Sequence, residues 1–303
     1  MNIKPIGNYE TGKGIIPDNM IKLSPSRFED FFSRPHEWFR ELMMNEAGFT
    51  GNSGSNIGNI IHCTAERHEL NQELSNDEIN EFIDNLEEVE NEDQPWMNLN
   101  KDLIRSSYQA MQELIKDYVN QYPATAVEGY TWQQISPNVI VAGSYDRYRI
   151  NPMTGNYIVT DYKTTGDKLP PKKMSYKHKL QLYMYAWSLR KDGIKIDGIE
   201  VVYITRYHTG SEPKVSAKTG KLGKPGRDYP ATITSIEYGF TDDNYQFIDD
   251  LINLAADTLE YFIDHPESAY MLFKDYRLKG KDFSNILYNF SGSLKTNDIR
   301  DDF

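Results

Sequence analysis

Asp161 and Lys163 stand two apart in the stretch YIVTDYKTTG (157–166), whose β-branched and aromatic residues otherwise read as a strand. In a strand, residues i and i+2 face the same side, so this carboxylate and this ammonium point together while Tyr162 points away. Fifteen residues upstream, Asp146 sits inside the apolar run VIVAGSYDRYRI. A carboxylate buried without a partner is costly. The turn signal Asn151–Gly155 lies between the two runs, and the two aspartates are almost symmetric about Met153 and Thr154. A hairpin would therefore bring Asp146 and Asp161 close across the ladder. Two carboxylates so placed repel unless something positive lies between them, and Mg²⁺ or Mn²⁺ suits such an oxygen site. The competing reading has Arg147 or Arg149 neutralise Asp146, but in a regular strand both arginines face the other side.

Two helical segments carry further polar groups at one-turn spacing. In GNIIHCTAERH, Gly58 and His62 are i and i+4, with Glu66 one turn on. Glycine lets a helix approach another backbone closely, so His62 could reach the sheet and add a nitrogen ligand; a lone histidine is more commonly a structural one. In KLQLYMYAW, Gln181 and Tyr185 repeat the spacing. A Gln–Tyr pair can hold a phosphate backbone or stack a base. It can equally be the polar part of a core helix. Lys172, Lys173, Lys177 and Lys179 flank it and favour a phosphate-facing surface.

The elements that must position these residues follow from periodicity. Ser24 as N-cap and Pro25 at the first helical position start a helix in KLSPSRFEDFFSRPHEWFRELM, which Pro35 should break. GNSGSNIG (51–58) reads as a turn before the His62 helix. A solvated helix is expected near 76–90, and an amphipathic one over 99–121. Three runs, ATAVEGYTWQQI, VIVAGSYDRYRI and YIVTDYK, read as an antiparallel meander. The Gln181 helix follows, then a strand in GIEVVYITRYH, an exposed loop over 209–230, a strand in ATITSIEYGF and an amphipathic helix over 242–263. The expected fold is mixed α/β (α+β): a central mixed sheet of about five strands flanked by helices, with a helical N-terminal region.

The chain has 303 residues and a net charge of −12, which taken alone argues against a nucleic-acid partner. The charge is segregated, however. Glu69 to Asp93 holds eleven Asp or Glu and no Lys or Arg, whereas Lys163 to Arg227 holds fifteen Lys or Arg against five Asp or Glu. A basic middle on an acidic protein is compatible with a local polyanion site. The single cysteine, Cys63, excludes an intrachain disulfide and a cysteine-held Fe–S cluster, and fits a reducing, intracellular, cytoplasmic compartment. No run of eighteen apolar residues exists, so no transmembrane helix is expected.

Taken in order, Gly58…His62, Gly143…Asp146-Arg147, Asp161-Tyr162-Lys163-Thr164 and Gln181…Tyr185 resemble the motif series of the RecB-type branch of the PD-(D/E)xK nuclease superfamily, a restriction-endonuclease-like fold. LSPSRFEDFFSRPHEWF is similar to that branch's N-terminal helix. Where some members carry a cluster cysteine just before the proline, this chain has Arg34, so it resembles the cluster-free members, among them phage recombination exonucleases and the mitochondrial genome-maintenance exonuclease. The motifs span 58–185 and the resemblance reaches 24–205; many members have Glu where this chain has Asp161.

The resemblance implies a metal-dependent nuclease, with an exonuclease acting on DNA ends in recombination, repair or replication as the first reading. It implies Mg²⁺ (or Mn²⁺) held by His62, Asp146, Asp161 and the carbonyl of Tyr162, with Lys163 at the attacking water or the scissile phosphate. Glu128 matches a glutamate often found upstream of the second motif. Gln181, Tyr185, Arg147, Lys172, Lys173 and Lys177 would contact DNA. An endonuclease of structure-specific or restriction type is the alternative enzyme, and a catalytically inactive nucleic-acid-binding protein the alternative of another class. The expected organisation is a flexible lead (1–23), one nuclease domain (24–290) with a helical part (24–122, including an acidic insertion over 69–95) and a catalytic core (123–265), and a flexible acidic tail (291–303) that could dock on a protein partner.

Overall fold

In a computed structural model of the chain, the described residues are 20–35, 37–38, 51–92, 97–210, 226–265 and 268. The acidic tail, most of the lead and most of the 209–230 loop lie outside them.

The sheet is mixed and six-stranded. β2 (Ala126–Gln134), β3 (Val139–Ile150) and β4 (Tyr157–Thr165) form the expected antiparallel meander. β5 (Ile196–Thr205) returns parallel to β4, and β6 (Thr232–Gly239) adds antiparallel to β5. The sixth strand, β1 (Ile21–Leu23), falls in the stretch read as a flexible lead. It pairs parallel with β3 from Ile21↔Val139 to Leu23↔Val141. Ile21 and Leu23 are buried with exposed Lys22 between them, an alternation too short to stand out in the sequence.

Helices cover both faces. On one face lie α2 (Ser53–Glu69), α3 (Asn76–Asp84) and α4 (Lys101–Gln121), which bury Ile57, Ile61, Ile83, Ile104, Met111 and Ile115 against Tyr162, Val202 and Ile204. On the other lie α1 (Phe28–Ser33), α5 (Tyr176–Lys191) and α6 (Asp242–Asp264), packed on Val141, Val159, Val201 and Tyr203. α3 is not simply a solvated acidic helix, because Ile79 and Ile83 seat it on this core. α2 corrects the reading of 51–58 as a turn. It starts at Ser53, since Asn52 accepts from Ser55 N–H at 2.8 Å and Ser55 Oγ accepts from Asn52 N–H at 2.8 Å. This reciprocal cap outweighs the low helix propensity of Gly54 and Gly58. No helix among the described residues is long and apolar enough to cross a membrane.

One feature of β3 governs the site. Its free edge pairs with β1 at one end and with β4 only from Arg147↔Thr160 to Ile150↔Tyr157 at the other. The two strands therefore fork one position beyond Arg147 and Thr160, where Asp146 and Asp161 would be the next pair.

Candidate active site

Asp146 and Asp161 face each other across this fork. The ladder bond that pairing would have supplied is made by a side chain, Asp146 Oδ2 accepting the Tyr162 N–H at 2.6 Å. Asp161 and Lys163 share a face as strand alternation requires, with Lys163 Nζ 2.6 Å from Asp161 Oδ2. The buried Oδ2 thus has the Lys163 ammonium as its ion-pair partner, and no other hydrogen bond to it is found among the described residues. Tyr162 packs on the opposite side, in the α2–α4 core.

α2 delivers His62 to the fork. Its Nε2 lies 2.9 Å from the Tyr162 carbonyl oxygen and its Nδ1 3.5 Å from Asp146 Oδ2. Gly58, one turn earlier, faces β4, where a Cβ would stand in ordinary contact, 3.4 Å from Thr164 Oγ1. From the other face α5 supplies Gln181, whose Nε2 donates to Asp161 Oδ1 at 3.1 Å. Both carboxylate oxygens of Asp161 thus have fixed neighbours.

Glu128 completes the cluster. Ligand atoms of His62, Glu128 and Asp146 all lie within 4.8 Å of one another. Glu128 is buried and has a left-handed backbone, φ 45°, inside β2. Register holds on either side of it (Val127↔Arg147, Gly129↔Tyr145), but Glu128 and Asp146 do not pair. Alternation in β3 breaks at the same point: Tyr145 and Tyr148, three apart, both pack on the α5-side core with ring centroids 5.7 Å apart. A non-glycine residue in this region costs on the order of 1–2 kcal/mol, and such strain clusters at functional sites. Periodicity gave no hint of Glu128, which the motif resemblance alone picked out.

The protonation pattern is that of an anion-rich site. Burial first, then the charge of Asp146, pushes Glu128 up to about 9. Burial likewise raises Asp161, to about 6; Lys163 opposes this and Asp146 adds to it. Burial would raise Asp146 too, but the charge of His62, its hydrogen bond and the Tyr162 N–H hold that carboxyl below its usual range. His62 pays the burial cost of a cation, yet Asp146 lifts it to about 9. Burial opposes the Lys163 ammonium, and Asp161 and Asp146 outweigh it, leaving its pKa above normal. The carboxylates of Glu128 and Asp146 and the His62 imidazole, with the Asp161 carboxylate beside them, form an oxygen-rich donor set that fits a hard divalent cation of the Mg²⁺ or Mn²⁺ kind.

The expected nucleic-acid contacts divide. Lys172 and Lys173 are exposed. Lys177 is partly exposed and ion-paired at 3.1 Å to the buried Asp30. Gln181 and Tyr185 are buried, so the reading that they grip the strand is corrected: Gln181 orients Asp161, and Tyr185 packs in the α5-side core. Arg147 is also corrected. Its side chain is fully buried and donates to the Tyr162 hydroxyl at 2.9 Å, to Glu69 and to the Tyr122 carbonyl. Arg149 is held by Glu200 and Glu237, each at 3.0 Å. Neither arginine neutralises Asp146.

The family model of the PD-(D/E)XK nuclease superfamily matches residues 22–266. No curated protein gives a significant match. Among solved structures, an Eubacterium rectale protein named as an exonuclease superposes with a TM-score of 0.45 at 12% identity, covering 78% of each chain. LHK-Exo in complex with dAMP gives a TM-score of 0.37 at 11% identity, covering 84% of this chain and 96% of that one. At these scores neither likeness carries an argument about function.

Proposed function

Because this chain belongs to the PD-(D/E)XK nuclease superfamily, we propose that it hydrolyses DNA phosphodiester bonds with a divalent cation, as an exonuclease working from DNA ends. The observation that carries this reading is the fork, where Asp146, Glu128 and His62 cluster with the Asp161–Lys163 pair beside them. Asp146, Asp161, Glu128, His62 and the Tyr162 carbonyl would hold Mg²⁺ or Mn²⁺. Such an ion supplies positive charge against the phosphoryl oxygens and makes water a stronger nucleophile.

The chain's own residues supply the rest. Gln181 fixes the rotation of Asp161 through Oδ1 and leaves Oδ2 facing Lys163. Lys163 keeps 27% of its side chain exposed while its ammonium pairs with Asp161. A lysine held charged is suited to offset charge on a scissile phosphate rather than to abstract a proton. Exposed Lys172 and Lys173 precede α5 and would meet neighbouring phosphates, giving salt-dependent affinity. Preference for ends follows the resemblance to cluster-free recombination exonucleases.

The test is digestion of end-labelled linear and covalently closed circular DNA by the full chain with Mg²⁺. Loss of the linear substrate alone, abolished by EDTA, is the expected result. Cutting of the circle would replace this reading with an endonuclease. Retention of both substrates, with DNA bound, would leave a binding protein on a nuclease fold.

A further inference from the structure

We propose that Arg147 and Tyr162 form a positioning device for the metal site, acting from the far side of the sheet; this rests on the metal-site reading above. Tyr162 follows Asp161 in β4 and meets Asp146 across the fork, and each part of it is in use. Its N–H holds Asp146 Oδ2 at 2.6 Å, and its carbonyl oxygen lies 2.9 Å from His62 Nε2. Its ring meets the His62 ring edge-on at 5.8 Å and the Tyr118 ring at 6.2 Å. Its hydroxyl accepts from Arg147 Nη1 at 2.9 Å. Whatever fixes the Tyr162 side chain therefore fixes the peptide groups that hold Asp146 and His62.

Arg147 is built to do this. It occupies the last paired rung before the fork, opposite Thr160. Its guanidinium joins three elements: Tyr162 on β4, Glu69 at the end of α2, and the Tyr122 carbonyl after α4. As a stabilising ion pair it is poorly constructed. Among the described residues Arg147 Nε and Glu69 Oε2 are buried without hydrogen-bond partners, and burial raises Glu69 to about 7 against the pull of Arg147 and the Ala124 N–H. Buried pairs with incomplete partners add little stability, and apolar replacements of similar volume are commonly neutral or better. What the pair provides here is a fixed place for Tyr162, much as outer hydrogen bonds orient metal ligands elsewhere.

The test compares wild type with Tyr162→Phe, which removes only the hydroxyl, and with the double variant Arg147→Met/Glu69→Met, which leaves no unpaired buried charge. Mn²⁺ binding is read from the electron paramagnetic resonance of free Mn²⁺, and stability from thermal melting. Affinity should fall about tenfold in Tyr162→Phe and on the order of 10–100-fold in the double variant. The melting point of the double variant should not fall, KM for DNA should not change, and cleavage should recover at raised Mn²⁺. Wild-type Mn²⁺ affinity in folded Tyr162→Phe overturns the inference, and this variant decides alone if the double variant does not fold. Absence of Mn²⁺ binding by the wild type would instead remove the metal-site reading, and this inference with it.

Discussion

Asp146 stands opposite Asp161 one position past the last β3–β4 rung, Arg147↔Thr160, and takes the N–H of Tyr162 at 2.6 Å in place of a ladder bond. A carboxylate that closes a gap in the sheet is structural, and under the proposed function it is also a metal ligand. Among the described residues Asp161 makes no such bond to the backbone, and its Oδ2 meets only the Lys163 ammonium. The two aspartates should respond differently to substitution.

Asp161→Asn should abolish cleavage and leave the melting point unchanged or higher, because burial, with the repulsion of Asp146, disfavours this charge by more than Lys163 offsets. Asp146→Asn should abolish cleavage and also destabilise, on the order of 1–3 kcal/mol, since the charge-assisted bond from Tyr162 is lost. Thermal melts beside a DNA digest decide this; equal melting points for the two variants would contradict the asymmetry.

Lys163→Ala should separate binding from chemistry. Its ammonium is no metal ligand, so Mn²⁺ affinity should be retained or rise as a neighbouring positive charge disappears. Cleavage should fall roughly 10²–10³-fold, the usual loss for a removed electrostatic contact. Titration calorimetry and single-turnover digestion measure the two halves.

Metal affinity should rise with pH between about 6 and 9. Glu128 and His62, both near 9, and Asp161, near 6, each carry a proton below those values that must leave before the group can act as a ligand. Binding at neutral pH should therefore release protons. Calorimetry in two buffers of different ionisation enthalpy gives the number; no buffer dependence would contradict the protonation pattern.

Gln181→Leu should lower kcat with KM for DNA little changed, because the side chain is buried against Asp161 and does not reach the surface. A rise in KM alone would return Gln181 to the strand-binding role its motif implied.

Glu128→Gly should stabilise the fold by about 1–2 kcal/mol while reducing cleavage, since glycine adopts a positive φ freely and brings no buried carboxylate. Glu128→Gln keeps the strained backbone and should lose activity with a smaller gain in stability. Chemical denaturation of both variants checks the difference.

The sequence by itself determined the meander, the helices after it, the shared face of Asp161 and Lys163, and the approach of Asp146 to Asp161. These follow from periods of 2 and 3.6 and from one turn signal, which are local rules. The spacing with Gly58 left His62 open between a ligand and a structural histidine, and only the motif resemblance singled it out. Tertiary structure decided the rest. Arg147 reads as a DNA contact in a motif and proves to be a buried clamp, since the helices that cover it, α2 and α4, are distant in sequence. Gln181 moves from the strand to Asp161 for the same reason. β1 joins the sheet only because β3 has an edge left open beyond the fork. The fork coincides with a broken alternation at Glu128 and Asp146, where several opposed charges are buried together. No local pattern encodes that balance, because it arises only when four elements converge on one point.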